Sequence, residues 1–390
     1  MSETTREDDD AMTTSSAGVG VESAALEHHH SENDKQYFNS YFDCGVHELM
    51  IKDKPRTDGY LNAIIENSHV FKDKVVLDVG AGTGILSLFA AKYGGAKKVY
   101  AVEASPMATF TQLFVEHNNM QDVIEVIHGK IEQVELGVEK VDIIISEWMG
   151  FYLLHEGMLE SVIYARDKWL DKEHGYLFPQ QAIIYMAPCE MNNLYKEKID
   201  FWGDVYGFDM SAIMPMAMYE LAGKSKVDVI SPSQLLIKNP IVVKELDLKT
   251  VTKDDLTYID CECHITIDNI TDESTQQFVH GFCIWFDVIF MPKTVTLSTS
   301  PFAPATHWKQ TIMMLPQPLP IPSSKKLPKT TLVMTPSDSN ERHYDLSLDI
   351  PDAFKENDQL EEDEDELDLK EIILRQYAAE MEEDPEEDEQ

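Results

Sequence analysis

The chain has 390 residues and a formal net charge of −38, with 43% hydrophobic and 9% aromatic residues. That is enough apolar material for two cores, and enough negative charge to repel nucleic acid, so basic proteins are the natural counterpart and no direct nucleic-acid partner is expected. No run reaches the roughly 18 apolar residues of a membrane span, residues 1–10 read as neither signal nor transit peptide, and the five cysteines are expected to stay reduced, which together predict a cytoplasmic or nuclear protein.

Residues 1–34 are polar, acidic and without periodicity, the pattern of a disordered segment. His28, His29 and His30 fall there and read as solvated side chains. From Tyr37 the chain becomes aromatic and then helical, predicting helices ahead of the first strand. Arg56 in this region admits two partners, a carboxylate ligand or the neighbouring acids Asp53 and Asp58.

Val75–Val79 then reads as a buried strand that runs into Gly80, Gly82 and Gly84, followed by an apolar helical stretch. The dinucleotide fingerprint needs a glycine where this chain has Ile85. Asp78, at the strand end, suits a ligand carrying a cationic amine. Glu103 ends the next strand at the spacing used to grip ribose hydroxyls. An amine and a ribose without a phosphate describe S-adenosylmethionine.

Strand and helix patterns alternate to about residue 178, predicting a doubly wound parallel sheet. Asp78, Glu103 and Glu147 all sit at carboxyl ends of strands, where such sheets bind ligands. Beyond residue 179 short β-branched and aromatic runs at 182–186, 235–237, 241–246, 258–267, 278–290, 295–298 and 330–334 predict an antiparallel β-barrel or sandwich. Cys261 and Cys263 lack the second ligand pair of a zinc site and read as strand residues, and no metal is expected. The stretch 191–223, with Phe201, Trp202, Tyr206, Phe208 and Met210, reads as an apolar arm that buries itself in a partner. An acidic tail occupies 355–390, so the expected divisions are 1–34, 35–178, 179–354 and 355–390.

The second informative stretch is Ser146-Glu147-Trp148-Met149-Gly150, followed by Glu156 and Met158. If this loop doubles back, its two glutamates share one pocket. Paired carboxylates serve as acid and base, as a metal site, or as a match for the planar five-donor guanidinium.

Together with residues 76–84 and Thr306-His307-Trp308, these motifs make the chain resemble the protein arginine methyltransferases over 37–311, in particular the type I members. The resemblance implies a Rossmann-like S-adenosylmethionine domain, a β-barrel and a helical dimerisation arm at 191–223, hence a homodimer. It implies that Glu147 and Glu156 clamp the substrate arginine, and that His307 approaches Asp53 and helps remove the proton. Cofactor contacts are implied for Phe38, His47, Arg56, Asp78, Gly80, Gly82, Glu103, Ile131 and Glu132, with Arg56 on the methionine carboxylate. Tyr41, Met50, Met158 and Trp308 are implied to line the substrate pocket, the two methionines in the type I manner. Arginines of Arg-Gly-rich proteins and histones are the implied substrates, mono- and asymmetric dimethylarginine the products. Phe151 departs from the tyrosine common in the family. The competing expectation is a catalytically weak scaffold that acts through its arm and tail.

Overall fold

The computed structural model describes residues 43–270, 276–340 and 342–350, so the N-terminal segment and the acidic tail lie outside the described residues. Three helices come first: α1 (Cys44–Lys52), α2 (Lys54–Glu66) and α3 (Ser68–Phe71). Asp53 caps α2 by accepting from the Arg56 backbone N–H at 3.1 Å, with Pro55 in the first turn, where its missing donor costs nothing.

The first sheet is wholly parallel. Its strands are β1 (Val75–Val79), β2 (Lys98–Glu103), β3 (Ile124–His128), β4 (Ile143–Ile145) and β5 (Tyr176–Phe178), in the order β3-β2-β1-β4-β5. The apolar run of β1 is buried on both faces, as a central parallel strand must be. The crossovers carry α4 (Ile85–Phe89), which continues through a π turn at Ala90–Gly94, then α5 (Ala108–His117) and α6 (Leu159–Trp169). The winding reverses between β1 and β4, so their carboxyl ends frame the crevice in which ligands of such sheets sit.

The second half is antiparallel, as expected. Its six-stranded sheet holds β6 (Gln181–Cys189), β7 (Lys226–Asp228), β8 (Ile241–Asp247), β10 (Phe278–Phe290), β11 (Val295–Ser298) and β12 (Gln310–Pro320), ordered β7-β12-β10-β6-β8 with β11 against β10. A three-stranded sheet adds β9 (Ile259–Cys263), β13 (Thr330–Pro336) and β14 (Tyr344–Asp349). Phe282 and Phe286 of one sheet and Leu332 and Met334 of the other are all buried in one core.

Several strand expectations need correction. Residues 235–237 form no named strand; they follow a capping-box turn at Pro232–Gln234, and Leu235 makes a single bridge to Cys189. The 258–267 run shortens to β9. Strands β7, β12 and β14 had not been anticipated. In β12 the prolines at 316 and 318 hid the strand, yet they fall where the β10–β12 register shifts, between Met314 and Leu319, so no ladder donor is lost.

Between β6 and β7 the arm contains α7 (Asn192–Lys198) and α8 (Met214–Gly223), with no buried residue in either helix. Tyr206 is 98% and Phe208 68% exposed.

Candidate functional site

At the carboxyl end of β1 the chain turns through Gly80, Gly82 and Gly84, all with positive φ. A Cβ on Gly80 would stand 2.9 Å from the Met158 thioether, so the turn both needs left-handed backbone and lets Met158 close over it. Glu103 ends β2 beside this turn. One carboxylate oxygen accepts from the Gly82 N–H at 2.7 Å and the other from the Ser105 N–H at 2.7 Å, which fixes the side chain at the cavity wall.

The stretch 146–158 doubles back. Gly150 and Leu153 exchange backbone hydrogen bonds at 2.9 and 3.1 Å, and Met158 N–H donates to the Trp148 carbonyl at 2.9 Å. A Cβ at Gly150 would lie 1.7 Å from the His155 carbonyl oxygen, so only glycine fits. Tyr152, Leu153 and Glu156 take positive φ, a conformation that side chains resist and that collects at functional sites.

Glu147 and Glu156 consequently line the same cavity, of about 950 Å³ including its open mouth. His47, Met50, Arg56, Gly80, Gly82, Glu103, Ile131, Glu132 and Met158 border it too. Four carboxylates on the wall suit a cationic ligand better than a pyrophosphate, and the residues present fit the sulfonium nucleoside read from the cradle.

The remaining expected residues lie elsewhere. Phe38 and Tyr41 fall outside the described residues. Asp78 is fully buried behind the wall rather than on it, because the strand end turns its side chain under the cradle, where it accepts from the Ser87 hydroxyl at 2.6 Å. Its other oxygen has no partner among the described residues. Burial, with Glu103 nearby and against the Ser87 bond, pushes its pKa to about 7. Trp308 also leaves the wall: it is buried edge-on against Phe286, and its indole N–H donates to the Met149 carbonyl at 3.2 Å, so it props the glutamate loop from below.

His307 and Asp53 meet as the resemblance implied, beside the cavity rather than in it. The Asp53 carboxylate accepts from the His307 ring Nδ1 at 2.7 Å and from its backbone N–H at 2.8 Å. Burial alone would raise the Asp53 pKa; the His307 and Arg56 hydrogen bonds outweigh it and hold the carboxyl below its usual range.

Two features escaped the sequence. Arg56 donates from Nη2 at 2.8 Å and from Nε at 3.1 Å to one oxygen of Glu147, and the other oxygen, also buried, has no partner among the described residues. Ninety-one positions separate the pair, beyond any local pattern. Ser161, on the wall three residues after Met158, donates to Glu132 at 2.7 Å; the helical spacing was its only signal.

Residues 180–352 match the family model described as the arginine methyltransferase oligomerization subdomain, and residues 53–154 match that of the ribosomal protein L11 methyltransferase. The chain is 42% identical over 316 residues to protein arginine N-methyltransferase 8-B of Danio rerio, covering 80% of this chain and 72% of that one. It is 40% identical over 338 residues to protein arginine N-methyltransferase 1 of Chlamydomonas reinhardtii, covering 86% and 94%. Among solved structures, the Trypanosoma brucei PRMT1 enzyme-prozyme heterotetrameric complex with AdoHcy matches with a TM-score of 0.69 and 37% identity, over 80% of this chain and 94% of that one. A crystal structure of PRMT6-SAH matches with a TM-score of 0.66 and 31% identity, over 79% and 100%. With its glycine cradle, doubled-back glutamate loop and antiparallel second half, the chain belongs to the S-adenosylmethionine-dependent protein arginine N-methyltransferase family.

Proposed function

We propose that the protein is a type I enzyme: it transfers methyl groups to guanidinium nitrogens of arginines in basic proteins, giving mono- and asymmetric dimethylarginine. The observation that carries this reading is the convergence of Glu147 and Glu156 on the cradle cavity, with Glu147 already paired to a guanidinium, that of Arg56.

The bound donor supplies an electrophilic methyl on a sulfonium. Gly80, Gly82 and Glu103 form its nucleoside cradle, Glu132 stands nearby, and Arg56 is the cation for its carboxylate. Glu147 and Glu156 fix the plane of the substrate guanidinium and draw positive charge onto the nitrogens they touch. The remaining nitrogen keeps a lone pair for attack. Asp53 holds the Nδ1 proton of His307, which leaves Nε2 as the nitrogen that takes up the released proton. Met50 and Met158 border the cavity with flexible thioethers, giving a monomethylated side chain room to turn for its second methyl.

The division at residues 178 and 179 separates cofactor from substrate domain in this reading. The arm at 191–223 docks on a second copy to form a homodimer. Exposed Phe110, Leu113 and Phe114 on α5 offer the apolar face that Tyr206 and Phe208 require. The acidic surface speeds encounter with Arg-Gly-rich or histone-like substrates in the cytoplasm or nucleus.

Labelled S-adenosylmethionine and an Arg-Gly-rich peptide, followed by separation of the methylated arginines, test the proposal. Asymmetric dimethylarginine that disappears in Glu147→Gln is the expected outcome. Symmetric product or monomethylarginine alone overturns the subtype.

A further inference from the structure

Glu156 is tied to the far half of the molecule. Its backbone N–H donates to the Arg342 carbonyl at 2.6 Å, in the turn that joins β13 to β14. The Tyr152 hydroxyl donates to the Tyr344 carbonyl at 2.5 Å, and the Tyr344 N–H donates to Nδ1 of His155 at 3.1 Å. The rings of His155 and His343 stack, with centroids 4.5 Å apart and planes 25° apart. Nε2 of His343 then stands 3.5 Å from a carboxylate oxygen of Glu156.

Such support has a purpose. The Glu156 side chain is 49% exposed, so burial does not hold its rotamer, and its backbone is in the left-handed region that side chains resist. A two-point clamp on a planar cation works only when both carboxylates keep their orientation.

We propose that His343 is a positioning residue for the arginine clamp, acting through Glu156, and that the β13–β14 turn thereby couples the antiparallel domain to the transfer site. The inference rests on Glu156 being half of that clamp. At 3.5 Å the imidazole, whose Nε2 also meets the Asn340 side-chain amide at 3.3 Å, borders the carboxylate on the turn side and limits the orientations it can take. Burial, then the neighbouring His343, lowers the His155 pKa. The other charged or titratable groups facing the stack are Arg342, Asp345, Tyr152 and Tyr344, with Glu160 and its partner Lys253 beyond. Although ligand atoms of His155, Glu156 and His343 lie within 4.8 Å of one another, the cluster is not arranged for a metal. Two near-parallel rings cannot both aim an in-plane lone pair at one ion, and Nδ1 of His155 already accepts the Tyr344 N–H.

The test measures kcat, peptide KM and donor affinity of the full-length enzyme. Wild type, Glu156→Gln, His343→Gln and His343→Leu are compared. In both His343 variants the peptide KM is expected to rise about threefold to tenfold, with kcat within about twofold and donor affinity unchanged. Should His343→Leu fail to fold, His343→Gln, which keeps a polar side chain of similar size, decides the matter. His343 variants with wild-type KM, or with kcat and donor affinity lost together, overturn the positioning role while the clamp stands. Absence of arginine methylation in wild type, or full activity in Glu156→Gln, overturns the clamp itself.

Discussion

Arg56 and Glu147 have side chains only 7% and 9% exposed, so each is the other's main compensation for leaving water. Removing one partner strands a buried charge, at a cost of about 3–5 kcal/mol. Arg56→Ala is therefore expected to destabilise more than the double variant Arg56→Ala, Glu147→Ala, as read by urea unfolding; additive losses would show that the pair is not coupled. Asp78 is a second internal charge, with its pKa raised to about 7 from the ordinary 3.8 of an aspartate. Between those values the folded state binds more protons than the unfolded chain, so this group's contribution to stability falls as pH rises from about 4 to 7. Asp78→Asn should flatten that part of the stability profile in chemical denaturation at several pH values. At this scale the cradle was legible, because Gly80, Gly82 and Glu103 are placed by strand ends and short turns. The contact of Arg56 with Glu147 was not, and the burial of Asp78 was misjudged: sequence says that a strand ends, not under which turn its last acid is folded.

Among the elements, the glutamate loop depends most on one residue. A methyl at Gly150 meets the backbone of His155, which no side-chain adjustment relieves. Gly150→Ala is expected to lower kcat/KM by at least about a hundredfold, since small displacements of positioning groups cost that much. Donor binding, measured by titration, should be affected far less; retention of wild-type kcat/KM would contradict the geometry. That the loop doubles back was legible only as a condition, because left-handed backbone at Tyr152, Leu153 and Glu156 breaks local preference. Strand reading succeeded where alternation or apolar runs were clean, as in β10 and β11, and failed where prolines crowd β12. In β14 the alternation of Tyr344, Leu346 and Leu348 with polar residues was present but short, and it is its pairing with β13 that identifies it.

For the whole molecule, the proposed dimer makes the arm the element that decides assembly. Tyr206 and Phe208 are the most exposed of its large apolar side chains, and nothing in the same chain covers them among the described residues. Changing both to Asp should convert the proposed dimer to monomer in sedimentation velocity without loss of the folded far-UV spectrum; a dimer that persists would move the interface elsewhere. The two-part architecture was legible because hydrophobic period changes at about residue 179. The traffic between the parts was not: the Asp53–His307 pair and the tie from Arg342 to Glu156 span 254 and 186 positions, respectively, and arise only when both halves are folded.

One consequence follows from the embrace of Glu147 by Arg56. The glutamate proposed to receive a foreign arginine is engaged by one of the chain's own. Under the proposed roles, the donor's carboxylate is the competitor that draws Arg56 away, and its arrival opens the second seat. The enzyme should then show a compulsory sequence of addition, donor first and peptide second. Initial-rate and product-inhibition patterns would reveal it, and peptide binding of equal strength with and without the donor would contradict it.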